Sequence, residues 1–135
     1  MDDALTKFLH DTMPFAALLG IEGIAASEEE VRTRLAFAER LCTSGGILHG
    51  GLLMALADTT GAWCAFLNLP SDGSGTTTVE SKTNFLRAVR AGHLDAISRP
   101  LHVGRTFIVV DTELRDADHR LAARVTQTQA VLAAR

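Results

Sequence analysis

The run Gly45-Gly46-Ile47-Leu48-His49-Gly50-Gly51 ends where an apolar stretch, Leu52 to Asp58, begins. Glycines at a helix start leave backbone N–H groups bare, at the positive end of the helix dipole. Such donors can polarise a carbonyl and hold the oxyanion that develops on it. The same glycines also suit simple tight packing. Asp58 is the second feature of interest. Its neighbours three and four positions away are Met54, Ala55, Gly61 and Ala62, none of them a cation. A carboxylate on a buried apolar helix is costly unless something satisfies it, which makes Asp58 a functional candidate. A structural aspartate at a helix break in Asp58-Thr59-Thr60-Gly61 fits the same residues. The five histidines, with no HxH or HExxH spacing, point to no metal site, and His10, His93 and His119 suit surface or turn positions.

Geometry constrains these candidates. Gly50 and Asp58 are eight residues apart, which on one helix means roughly 12 Å of axial rise and about 80° of rotation. No single small carbonyl group can meet both. If the two form one site, Asp58 must come from a second chain whose helix runs antiparallel across a two-fold axis. That isologous dimer has two equivalent sites.

The elements that would position these residues are legible in the pattern. Leu5, Phe8 and Leu9 share a helical face, and Pro14 suits the start of a short second helix, Phe15 to Leu19, closed by Gly20. Ile21 to Ser27 and Val31 to Glu39 read as a hairpin with Glu28-Glu29-Glu30 at its turn, since Val31, Thr33, Leu35 and Phe37 alternate with Arg32 and Arg34. A helix from about Gly50 to Leu67, ended near Asn68-Leu69-Pro70, is apolar nearly all round and must be buried on most sides. Strands follow at Thr77 to Val89, Gly92 to Pro100, Thr106 to Arg115 and Arg120 to Leu132, separated by short turns, and read as an antiparallel meander. The class is α+β, a curved antiparallel sheet around a central helix.

Composition narrows the function. The 135 residues favour one domain, 1–135, with 1–19 as an N-terminal helical segment. Apolar residues make up 47%, which excludes a disordered chain. Thirteen basic against sixteen acidic residues give a net charge of −3, which argues against nucleic acid as a partner. The apolar run Gly50 to Pro70 has bilayer-spanning length, but Asp58-Thr59-Thr60 at its centre points to a core helix rather than a membrane. Two cysteines outside any CxxC pair fit a reducing cytoplasm. Cys64, in the apolar helix, reads as a small core hydrophobe.

The run Gly46 to Gly51, with an acid nine positions after His49, resembles the hotdog-fold acyl-CoA thioesterases, particularly the phenylacetic-acid-degradation branch. The segments Asn84-Phe85-Leu86-Arg87-Ala88, Gly92-His93-Leu94 and His102-Val103-Gly104-Arg105-Thr106 are similar to that family's strands and turn. The resemblance covers residues from about 15 to 132 and implies a hotdog fold, hydrolysis of a thioester to free acid and coenzyme A, and no cofactor beyond the coenzyme A of the substrate. It implies Asp58 as nucleophile or general base, the Gly50 N–H as the group polarising the thioester oxygen, and His49 as a residue shaping that turn. Family members carry Asn or Gln where this chain has Thr43, a shorter hydrogen-bonding group. Gly51 belongs to the same motif. Arg87, Arg105 and Thr106 fall where the family binds coenzyme A, although arginines at strand ends are also ordinary solvated residues. Thr76, Thr77 and Thr78 border the acyl pocket or simply favour a strand. Phe85, Phe66 and Trp63 line an aromatic-accepting pocket or fill the core, with core the better reading for Trp63. The implied assembly is a dimer of dimers. Two other functions fit the same fold: an enoyl-CoA hydratase or dehydratase, and a non-catalytic acyl-CoA-binding protein.

Overall fold

The computed structural model describes residues 1–134. Two short helices, α1 (Asp3–Thr12) and α2 (Pro14–Leu19), open the chain. Asp2 caps α1 by accepting the Leu5 N–H, Pro14 opens α2, and Gly20 closes it at φ 74° in the left-handed region. The hairpin β1 (Glu22–Ala26) and β2 (Val31–Ala36) follows. The long helix α3 (Gly50–Leu67) comes next, then β3 (Gly75–Phe85), β4 (His93–Val103), β5 (Phe107–Asp116) and β6 (Leu121–Leu132).

All six strands form one antiparallel sheet in the order β1-β2-β4-β5-β6-β3. The expected four-strand meander is therefore corrected to three strands, β4-β5-β6, because β3 lies on the far edge against β6. The predicted first meander strand also stops early, at Phe85 rather than Val89. Its continuation pairs elsewhere: the N–H groups of Leu86 and Arg87 both donate to the Ala122 oxygen, and the Val89 oxygen accepts from Leu48. The connector from Leu86 to Gly92 must cross three strand spacings, roughly 14 Å. Seven residues reach about 23 Å when extended, so the crossing is comfortable. The predicted strand ending at Glu39 stops at Ala36, and a 3-10 turn, Glu39–Leu41, follows it. The strand predicted to end at Pro100 runs on to Val103. β2 begins at Val31, opposite Ser98, so β4 has no β2 partner beyond that point, and Pro100 sits beside a bulge, where a missing N–H is tolerated.

The core lies between α3 and the sheet. Leu56 and Cys64 from the helix meet Leu35, Leu94, Ile108, Val110, Leu114 and Val125 from the strands, all fully buried. Burial pushes the Cys64 thiol up to about 11. Trp63 is buried, as expected. The helix is not enclosed all round, however. Gly51, Met54, Asp58 and Phe66 form an exposed stripe along its length, and Phe85 at the end of β3 is exposed too. The expectation of a buried carboxylate is corrected accordingly: Asp58 stands on the one face the sheet does not cover.

Candidate active site at the start and middle of the central helix

The loop before α3 is held closed. Cys42 and Leu48 form a β-bridge, the Thr43 N–H donates to the Ile47 oxygen at 2.8 Å, and the Arg90 guanidinium donates to the Gly45 oxygen at 3.1 Å. Gly45 and Gly46 turn the chain at φ 85° and 71°, angles that disfavour a side chain. His49 and Leu48 are then tied down by their own N–H groups, to the Leu41 and Val89 oxygens.

The first four N–H groups of any helix lack helical partners, so their fates can be followed one by one. Leu52 and Leu53 both donate to the His49 oxygen, and Gly51 donates to His49 Nδ1 at 2.8 Å. That leaves Gly50, whose N–H has no acceptor among the described residues. His49 is thus the cap of α3. The cap needs an unprotonated Nδ1, which assigns the ring proton to Nε2. Gly51 has a steric reason to be glycine, since a Cβ there would lie 2.9 Å from His49 Nδ1.

One helix end gathers several expected residues. A cavity of about 410 Å3 beside Gly50 is lined by Thr43, Ile47, Leu53, Phe85 and Arg87. Asp58 stands two turns along α3. Its Oδ1 accepts from Thr78 Oγ1 at 2.7 Å and from Gln127 Nε2 at 3.2 Å. Gln129 Nε2 in turn donates to Thr78 Oγ1 at 2.6 Å. Among the described residues nothing donates to Oδ2. Thr76 and Thr77 precede Thr78 on β3, so they belong to the Asp58 end. Arg105 and Thr106 are exposed in the β4–β5 turn, where the Thr106 oxygen accepts from Val131 opposite Thr76. Within one protomer the predicted residues therefore divide into two groups, Thr43, His49, Gly50, Gly51, Phe85 and Arg87 against Asp58, Thr76, Thr77, Arg105 and Thr106.

Gln127 and Gln129 did not emerge from the sequence as site residues, yet a signal was there. Leu121, Ala123 and Val125 define the inward face of β6, and the same alternation carries Gln127 and Gln129 inward. Both are fully buried. A polar amide at a core-facing strand position marks a partner to be found.

The Thioesterase superfamily signature matches residues 45–123, which spans the glycine loop, α3, β3 to β5 and the start of β6. The chain belongs to the Thioesterase superfamily. Relatives agree across most of this thioesterase-family chain. A candidate esterase of Saccharolobus solfataricus, SSO2140, is 32% identical over 106 residues, covering 78% of this chain and 74% of its own. The crystal structure of a mutant of thioesterase PA1618 from Pseudomonas aeruginosa superposes with a TM-score of 0.88 at 28% identity, covering 94% of this chain and 93% of that one. Thioesterase HI1161 from Haemophilus influenzae gives 0.89 at 27% identity, with 98% and 93% coverage. The fold is the hotdog fold of these thioesterases, as the resemblance implied.

Proposed function

We propose that this thioesterase hydrolyses an acyl-CoA as an obligate homodimer, with the Gly50 N–H of one protomer and the Asp58 carboxylate of the other meeting one thioester carbonyl. The observation that carries the proposal is the helix-start inventory: three of four donors are taken, and Gly50 alone is free. A free N–H at a helix start opposes the negative charge that grows on the carbonyl oxygen. Eight helical residues, roughly 12 Å, separate that donor from Asp58, too far for one carbonyl. A second copy related by a two-fold axis removes the mismatch. Two exposed features support that partner: the α3 stripe with Met54 and Phe66, and the unpaired eleven-residue edge of β3 with Val79 and Phe85 outermost. A long edge strand left unpaired offers a row of backbone donors and acceptors to another chain. Two such dimers would then make the dimer of dimers.

In the reaction, the carbonyl carbon gains an oxygen and the C–S bond breaks. Either Asp58 activates a water, whose hydroxyl attacks, or Asp58 Oδ2 attacks and water cleaves the resulting anhydride. Coenzyme A leaves as the thiolate and takes up the proton that the attacking water gives up, through Asp58 when it acts as base, and the acid carries the new oxygen. The Arg87 and Arg105 side chains, exposed at opposite ends of a protomer, form no ion pair among the described residues and are free for the coenzyme phosphates. The acyl group fits a cavity of about 300 Å3 lined by Phe8, Met13, Ala62, Trp63, Phe66 and Thr76. It opens one helical turn beyond Asp58.

The test measures thiol release from aryl, short-chain and long-chain acyl-CoA with wild type and Asp58→Asn. The variant is expected to lose at least 100-fold in kcat. Full turnover by Asp58→Asn would end the proposal. Subunit exchange between Asp58→Asn and Gly50→Pro protomers tests the sharing: hybrid dimers hold one intact site, so a random mixture should recover about a quarter of wild-type activity. No recovery, with exchange verified by mass, would exclude a shared site.

A further inference from the structure

We infer that Thr78 and Gln127, backed by Gln129, are positioning residues that hold one oxygen of Asp58 so that its other oxygen faces the reacting group; this rests on the role given to Asp58 above. The direction of each hydrogen bond is fixed by chemistry. Gln129 Nε2 is a donor and occupies a lone pair of Thr78 Oγ1 at 2.6 Å. A hydroxyl has one proton, and a carboxylate can only accept, so the Thr78 proton points to Asp58 Oδ1 at 2.7 Å. Gln127 Nε2 adds a second donor to the same atom at 3.2 Å. Two donors on Oδ1 and none on Oδ2 make the two oxygens unequal, and they fix the plane of a carboxylate that otherwise stands on an open helix face.

Packing alone does not account for these amides. Gln127 and Gln129 are fully buried, and the Oε1 of each has no partner among the described residues. Apolar side chains of similar size would avoid that penalty. Two further features converge on the arrangement. The register of β3 slips between Thr78 and Glu80 where it faces Gln129 and Thr128, so Val79 is an extra residue. Before that bulge Thr76 and Thr78 are the partly buried positions, and after it Ser81 and Thr83 are. A bulge next to a reactive group commonly re-aims a side chain. Gly61 on α3 makes room for the Gln127 head, since a Cβ there would stand 2.0 Å from Oε1.

The experiment compares kcat and KM of Thr78→Val, Thr78→Ser, Gln127→Met and Asp58→Asn with the acyl-CoA that wild type turns over best. Melting temperature and sedimentation are recorded for each. Loss of a donor to a charged group predicts a kcat about 10- to 100-fold lower in Thr78→Val and Gln127→Met. KM should stay within about threefold, and Thr78→Ser, which keeps the hydroxyl, should regain most of kcat. If Thr78→Val and Gln127→Met keep full kcat while Asp58→Asn is dead, the positioning role is overturned and the role of Asp58 stands. If Thr78→Ser is as damaged as Thr78→Val, or both merely melt earlier with kcat intact, the residues are structural and the inference fails. Full activity in Asp58→Asn removes the reading on which the inference rests.

Discussion

Replacing Gly50 with proline isolates one hydrogen atom. Proline lacks the N–H and is otherwise at home at the first position of a helix. The structure favours the exchange on both sides. The residue before a proline must be extended, and His49 already sits at φ −62° and ψ 135°. A Cβ at position 50 would have the Phe85 ring as its nearest neighbour, at 3.4 Å, and that ring is half exposed and able to give. No hydrogen bond within the protomer is lost, because the Gly50 N–H has no acceptor there among the described residues. Fixing φ in the unfolded chain should even add about 0.4–1 kcal/mol of stability. Activity should move the other way. Loss of one donor to a developing oxyanion costs about 3–4 kcal/mol of transition-state stabilisation, or 100- to 1,000-fold in kcat. Gly50→Ala keeps the N–H and should stay within a few-fold of wild type. The assay is thiol release under saturating acyl-CoA, paired with thermal melts of all three proteins. A Gly50→Pro protein that melts no earlier than wild type and turns over at full rate would refute the role of this amide.

Gly61→Ala sets helix propensity, worth about 1 kcal/mol in favour of alanine, against a Cβ placed 2.0 Å from the buried Gln127 Oε1. Overpacking of about 1–3 kcal/mol should win, so the melting temperature should fall by a few degrees; a rise would show that Gln127 moves freely. At the β5–β6 turn, burial pushes the Asp116 carboxyl up, but the N–H groups of Arg120 and Asp118 and the Arg120 guanidinium outweigh it and hold it below the usual carboxylate range. A depressed folded value stabilises the protein above the unfolded value of about 4 and is lost as pH falls through the folded one. Asp116→Asn should therefore be less stable at pH 7, with its deficit shrinking below about pH 4 in denaturant titrations; a constant deficit would count against the ionic role. With Cys64 buried and its thiol up at about 11, a disulfide reagent at pH 8 should label half-buried Cys42 alone until denaturant is added; two fast thiols would contradict the packing of α3.

The parts of the fold written in local pattern were legible. Paired glycines and Asn68-Leu69-Pro70 bracket α3, and it runs Gly50–Leu67 as read. Alternation gave β2, β5 and β6 to within a few residues. The parts that depend on distant pairing were not legible. Leu86 to Val89 continues a strand-like composition, but Leu86 and Arg87 share one oxygen of β6 instead of extending a ladder. The place of β3 at the far edge is a choice between β4 and β6 as neighbours, and nothing within β3 encodes it. The bulge at Val79 reverses which residues face inward, so a strict period of two misassigns half of β3. Asp58 was singled out as a candidate by the absence of local cations. Its setting was misjudged because an all-apolar helix reads as enclosed, whereas the sheet leaves one stripe of it bare.

That stripe connects catalysis to assembly. The exposed apolar residues of α3, the free edge of β3 and the free Gly50 N–H are separate defects in a lone protomer. Four buried side-chain atoms without partners among the described residues, on Ser81, Thr83, Gln127 and Gln129, add a fourth feature and all lie on the β3–β6 pair. Covering the β3 edge and the α3 stripe by a second copy, as the proposed dimer does, removes the apolar exposure and brings a carboxylate to the free amide in the same event. Folding stability and turnover then share one dependence on protomer concentration. Dilution should lower melting temperature and specific activity over one range, because in the proposed dimer the surface that stabilises the fold is also the wall of the site; a melting temperature and activity independent of dilution would count against it.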